Sequence, residues 1–136
     1  MSSPLDISGL GTTVAERLFG PITREDLRRY AEASGDLNPL HLEAQFARQA
    51  GFDDVIVHGM LGMALLGRLI TESFARRRLV TFAARFRHII RVGETILCRA
   101  RLEARVDDGC VLALDALSPA GVLLIEATAR VSPLED

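Results

Sequence analysis

From about residue 24 to residue 74 the apolar positions of the chain recur at three and four residues, and beyond Leu79 they alternate. Thr12 to Phe19 alternates loosely and stops at Gly20-Pro21, which predicts a short first strand and a turn. Thr23 with Asp26 three residues later resembles a capping box, and Leu27, Tyr30 and Ala31 then fall at helical spacing, so a helix is predicted over about 24–33. Gly35 ends it. Pro39 restricts Asn38 to extended geometry, which predicts an ordered loop for "GDLNPLH". A short helix follows over about 42–49 and closes at Gly51. Between His58 and Phe74 the spacing of Met60, Met63, Ala64, Leu66, Leu69 and Ile70, with Gly59, Gly62 and Gly67 among them, predicts a largely buried helix in close contact with its neighbours.

Beyond Leu79 the runs at 80–90, 94–106, 110–117 and 122–131 are separated by "RVGE", "DDG" and "SPAG", each a plausible turn. Their clearest alternation sets Ile96, Cys98, Ala100, Leu102, Ala104 and Val106 against Arg99, Arg101, Glu103 and Arg105, the mark of a half-buried antiparallel strand. His88 falls within a strand pattern and reads as structural. One apolar helix, a meander and an extra N-terminal strand predict an α+β fold in which a sheet of about five strands curls around the helix. Such a sheet leaves unpaired edges, which a second copy satisfies by continuing the ladder, so a homodimer is expected.

A length of 136 residues fits one domain, taken as 1–136. The net charge of -2 hides an asymmetry, because all sixteen basic residues are Arg. Without Lys there is neither a Schiff-base nor a P-loop lysine. Arg76, Arg77 and Arg78 form the only basic run and read as a solvated helix end, and with one Tyr and no Trp a nucleic-acid partner is not expected. Cys98 and Cys110 are too far apart for a CxxC motif and read as small hydrophobes in a reducing compartment. The first residues lack a basic and apolar leader pattern, and the longest apolar run, Met60 to Leu66, is too short for a bilayer. A cytoplasmic protein without membrane partners is the expectation.

Chemistry concentrates between Ser34 and Leu65. Asp36, His41 and His58 are possible metal ligands, but their spacing matches neither HExxH nor a Cys/His zinc pattern, so neither metal nor cofactor is expected. Asp36 and His41 can share general acid and base work. On a continuous helix they would diverge, whereas the non-helical loop imposed by Gly35 and Pro39 lets them converge on one water. Asn38 between them has amide groups able to orient a neighbour or hold the loop closed, its plain reading being an ordinary Asx-turn. If Gly59 opens the buried helix, its N–H is an unsatisfied donor at a positive dipole end, with no side chain to block a carbonyl oxygen, which describes an oxyanion hole. Each feature also has a plain structural reading, in which Asp36 and His58 cap turns, His41 is a hydrogen-bonded core histidine and Gly59 serves packing.

The stretch "YAEASGDLNPLHLEAQFARQAGFDDVIVHGMLGMAL" resembles the hydratase-2 motif of the MaoC-like, (R)-specific enoyl-CoA hydratase family, a hot-dog fold, and "RFRHIIRVGETI" is similar to the family's strand and turn after the central helix. The resemblance implies reversible addition of water to a trans-2-enoyl thioester, giving the (R)-3-hydroxyacyl product. It assigns Asp36 and His41 to the catalytic dyad, Asn38 to the loop asparagine, and Gly59 to the residue whose N–H binds the thioester oxygen. His58 fits the pattern with an orienting role. The partner implied is an acyl-CoA or acyl-carrier thioester, with the site near a dimer interface. One departure follows His41, where the family commonly has Asp-Pro and this chain has Glu43-Ala44 after Leu42. The same residues suit a (3R)-hydroxyacyl dehydratase acting on an acyl carrier; a thioesterase and a non-catalytic acyl-thioester-binding module are further alternatives. Arg85, Arg87 and Arg91 could meet coenzyme A phosphates, but each reads more simply as a solvated sheet arginine.

Overall fold

A computed structural model describes residues 9–75, 77–107 and 109–133. Chain order gives β1 (Thr13–Phe19), α1 (Arg24–Ser34), a 3-10 turn (Pro39–His41), α2 (Ala44–Gln49), α3 (Gly59–Ser73), β2 (Arg77–Phe86), β3 (Ile96–Val106), β4 (Gly109–Leu117) and β5 (Leu123–Pro133). The five strands form one antiparallel sheet in the order β1-β3-β4-β5-β2, so β1 and β2 are its edges. The expected sheet of about five strands around one helix is observed, with α3 packed on β1, β2, β3 and β4, but α3 is less buried than its spacing predicts, since Met60 and Ala64 are exposed and Met63 is half-buried.

The core joins the inner face of the sheet to α3. Ile96, Cys98, Ala100 and Leu102 of β3 are buried, as are Leu112, Leu114 and Ala116 of β4 and Ile125, Ala127, Ala129 and Val131 of β5, together with Leu66, Leu69 and Ile70 of α3. Burial holds the Cys98 thiol up at about 12, so it is inert as a nucleophile. The inner face expected to continue through Ala104 and Val106 stops short. A bulge between Leu102 and Ala104 breaks the register with β4, and both residues are only half-buried.

Gly62 lets α3 approach the sheet. A Cβ there would lie 2.6 Å from Ile125 Cδ1 and 2.7 Å from Ile90 Cδ1. Gly62→Ala therefore overpacks a closed layer and is expected to cost about 1–3 kcal/mol, read as a lower urea midpoint at unchanged m-value.

Several boundaries differ from the sequence reading. The capping box is present, with Thr23 Oγ1 accepting from the Asp26 N–H and the Asp26 carboxylate from the Thr23 N–H. The second half of "GDLNPLH" closes into the 3-10 turn. Because Pro39 O takes both the Leu42 and the Glu43 N–H, α2 starts at Ala44 rather than Leu42. The arginine run is not a helix end, since α3 stops at Ser73 and Arg77 and Arg78 pair with Pro133 and Ser132 in the sheet; Arg76 lies outside the described residues. β2 ends at Phe86, so His88 is not in a strand. The Arg87 and His88 N–H groups both turn onto Leu124 O, and His88 Nδ1–H donates to Leu123 O at 3.0 Å. Among the described residues no helix is long and apolar enough to cross a membrane.

Candidate functional site

α1 delivers the carboxylate. Its C-cap Gly35 is left-handed at φ 79°, the conformation that releases the chain from the helix and that only glycine adopts without strain. Asp36 follows at once, and its Oδ1 accepts from the Asn38 N–H at 3.3 Å. The Asn38 side-chain oxygen in turn accepts from the Leu40 N–H at 3.0 Å and caps the 3-10 turn. Asn38 thus makes the ordinary Asx-turn of its plain structural reading, and the 3-10 turn it caps carries His41 back beside Asp36.

His41 Nδ1 lies 2.7 Å from the Ile56 carbonyl oxygen. A carbonyl only accepts, so Nδ1 carries the proton and Nε2 of the neutral ring presents a lone pair. That Nε2 is 3.9 Å from Asp36 Oδ2, with the imidazole 11 % and the carboxylate 49 % exposed. The separation is too long for a direct hydrogen bond, and both atoms are acceptors. One water molecule can span it, donating a proton to each.

His58 precedes α3 and is buried, at 1 % exposure. Its Nε2–H donates to the Asp36 carbonyl oxygen at 3.2 Å. Its ring stacks on His41 with centroids 3.9 Å apart and planes 23° apart, and meets the Tyr30 ring edge-on at 4.8 Å. Among the described residues Nδ1 has no hydrogen-bond partner, and it is buried. Burial holds the His58 imidazole below its ordinary range, with the neighbouring His41 adding in the same direction, while the Asp36 carbonyl and carboxylate oppose them. A neutral His58 therefore binds fewer protons in the folded state than in the unfolded chain. Its contribution to stability is complete above about pH 6.5 and is lost as pH falls through the depressed folded value. The expected result is a Tm that declines below about pH 6.5 in the native chain, with a shallower decline in His58→Phe.

α3 begins at Gly59, and His58 O accepts from the Leu61 and Gly62 N–H groups. As the first helical residue Gly59 has no intrahelical acceptor for its own N–H, which points out along the positive end of the helix. A Cβ on Gly59 would come within 3.3 Å of the Phe86 ring. His41, Gly59, Phe86, Arg87 and Ile89 line a depression of about 320 Å³. A larger one of about 520 Å³, among Ala83, Arg101, Asp115 and Thr128, contains none of these groups. The segment entering His58 is fastened to α1 by the Arg24–Asp54 pair, which together with the Val55 N–H holds the Asp54 carboxyl at about 2.

Asp36, His41 and His58 each offer a ligand atom within 4.8 Å of the others. The geometry suits a cation poorly. The free lone pairs lie in the planes of two stacked rings inclined by only 23°, which disfavours their meeting about 2.1 Å from both nitrogens, and Nδ1 of His41 and Nε2 of His58 already act as donors.

All five candidate residues therefore gather at the mouth of α3. Three further contributors were not legible as site residues. Tyr30 read as a core position of α1, Phe86 as one residue of an alternating strand, and the Ile56 carbonyl has no sequence signal at all. Of the arginines weighed for phosphates, Arg87 pairs with Glu126 and Arg91 with Asp53, while Arg85 is exposed on β2.

Comparison with known proteins identifies the family. Residues 8–112 match the MaoC like domain. The chain belongs to the MaoC-like domain family. Among curated relatives, a mitochondrial 3-hydroxyacyl-[acyl-carrier-protein] dehydratase of Arabidopsis thaliana is 41 % identical over 73 residues, covering 54 % of this chain and 44 % of the relative. A probable enoyl-CoA hydratase 2 of Dictyostelium discoideum is 36 % identical over 70 residues, covering 49 % and 24 %. The chain thus spans less than half the length of these relatives. Among solved structures, the unliganded R-hydratase PhaJ1 of Pseudomonas aeruginosa superposes with a TM-score of 0.79 at 25 % identity, covering 93 % of this chain and 83 % of that one. The (R)-hydratase of A. caviae involved in PHA biosynthesis gives 0.84 at 24 %, covering 92 % and 96 %, a likeness of fold. The MaoC-like architecture here is the hot-dog fold.

Proposed function

We propose that this MaoC-like domain is a hydro-lyase acting on acyl thioesters, and specifically that it adds water to trans-2-enoyl-CoA to give (R)-3-hydroxyacyl-CoA, reversibly. One observation carries the reading: Asp36 Oδ2 and the unprotonated Nε2 of His41 stand 3.9 Å apart, next to a helix-opening amide. A water between the two acceptors has both protons directed at them and a lone pair left for carbon. As that pair forms the C3–O bond, the water proton passes to Nε2 and the enoyl π pair moves onto the thioester oxygen. The resulting enolate is held by the Gly59 N–H at the positive end of α3. Collapse of the enolate draws a proton from the dyad onto C2. A single oxyanion donor of this kind lowers the barrier by about 3 kcal/mol.

Loss of enoyl absorbance across a series of thioesters, with chiral analysis of the product, tests this. An (S) product, or no loss with any chain length, would overturn it. The similarity to the Arabidopsis thaliana dehydratase supports the reverse reaction on an acyl carrier as the second reading, and comparing carrier-bound with coenzyme A-bound substrate distinguishes the two. A thioesterase would instead release free thiol to a thiol-reactive dye. A binding module has no use for a proton-handling pair beside the amide.

Gly59→Ala keeps the N–H but sets a methyl group against Phe86, at the wall of the depression. It is expected to raise KM for crotonyl-CoA several-fold with a smaller change in kcat, as steady-state kinetics will read. We also propose a homodimer formed along β2, an edge whose Val80 and Phe86 are half exposed and whose end borders the site. Sedimentation at a mass near twice 14.8 kDa is the expected result. A cytoplasmic setting remains part of the proposal, supported by the two free thiols.

A further inference from the structure

His58 touches every working part of the site without lining the depression. Its Nε2–H holds the Asp36 main chain, its ring stacks on His41, and its own backbone opens α3 immediately before Gly59. From this juxtaposition we infer that His58 is a positioning residue, a buried imidazole that sets the plane of the His41 ring and the placement of the Asp36 carboxylate relative to the Gly59 amide. The inference rests on the proposed reaction, because it takes Asp36 and His41 as the pair that handles water.

The cost of keeping an imidazole here separates this role from simple core filling. With Nε2–H committed to the Asp36 carbonyl, Nδ1 is a bare acceptor sealed from water without a donor, which destabilises the folded state. A phenyl ring of similar shape would keep the stack on His41 and the edge contact from Tyr30 and remove the orphaned nitrogen. Its one loss would be the bond to Asp36, and that bond fixes the loop on which the carboxylate stands. A side chain chosen for packing alone gains nothing from the imidazole, whereas one chosen to hold the carboxylate does. Stacking acts on the other partner. The Ile56 carbonyl holds Nδ1 of His41 but leaves the ring free to rock about that bond, and the parallel His58 face removes the freedom that would swing Nε2 away from Asp36.

Two variants divide the two contacts. His58→Phe keeps the stacked ring and loses the donor; His58→Gln keeps a donor for the Asp36 carbonyl and loses the ring. Each is measured for kcat and KM on crotonyl-CoA, for Tm, and for the imidazole nitrogen resonances of His41 in the free protein. The expected result for His58→Phe is a Tm equal to or above the native one with kcat lowered about 10²-fold and KM within threefold, since misplacement of a reacting group by about 1 Å has that effect. His58→Gln is expected to recover part of that loss in kcat while the His41 resonances shift through loss of the neighbouring ring. A His58→Phe protein with native kcat would overturn the inference, as would variants whose lost activity equals their lost folded fraction. Absence of hydration by the native chain would refute the proposed reaction instead, an outcome separate from either.

Discussion

Asp36→Asn is expected to lower kcat for enoyl-thioester hydration by about 10³-fold while leaving Tm within a degree or two of the native value. The amide keeps an oxygen to accept from the Asn38 N–H, so the Asx-turn survives, and at 49 % exposure the side chain takes little part in packing. What disappears is the negative charge that orients the water and compensates the imidazolium formed when Nε2 takes its proton. Contributions of a single acid or base group lie at about 10²–10⁴-fold, and loss of the charge that supports proton transfer to Nε2 falls within that range. Steady-state kinetics on crotonyl-CoA with differential scanning calorimetry of the same sample check both halves. A kcat within threefold of native would remove Asp36 from the chemistry.

Replacement of His41 by Phe is expected to be as damaging to the reaction, about 10³-fold in kcat, and to differ in its structural cost. The phenyl ring retains the stack on His58, but the Ile56 carbonyl loses the donor it has at 2.7 Å in a part-buried position. An acceptor left unmatched there costs about 1–3 kcal/mol. His41→Phe should therefore show a lower urea midpoint together with its kinetic defect, and Asp36→Asn the kinetic defect alone. If His41→Phe retained turnover, the water would have to be activated from Asp36 by itself, and the acceptor pair would not be the active unit.

Much of this site was readable from residue order. Gly35 and Pro39 bracket the loop because one adopts the left-handed conformation and the other forbids helix before it, so the convergence of Asp36 and His41 follows from local backbone rules. The position of Gly59 at the start of α3 followed from hydrophobic spacing. Contacts made across the fold were not legible. The tautomer of His41 depends on a main-chain oxygen fifteen residues away, and the His41–His58 stack depends on how the entry to α3 lies against the 3-10 turn. The errors have the same origin. A run of alternating residues does not reveal where pairing ends, so His88 read as strand although the chain turns onto Leu124 O after Phe86, and Ala104 and Val106 read as core although a bulge intervenes. Arg77 and Arg78 read as a helix terminus because their β5 partners, Pro133 and Ser132, lie more than fifty residues downstream.

All five residues assigned to the site fall between Asp36 and Gly59, on connections and helix ends, and none belongs to the sheet. The sheet supplies walls: Phe86 at the tip of an edge strand, then Arg87 and Ile89 on the connection beyond it. In the proposed reaction the proton-handling groups come from one stretch of polypeptide, while the wall facing them is shared with a second. Under the proposed reaction, exchanging the tip of β2 and the connection behind it would retune which acyl groups enter while Asp36 and His41 stayed as they are, making this margin the natural place to redirect the domain toward a new substrate.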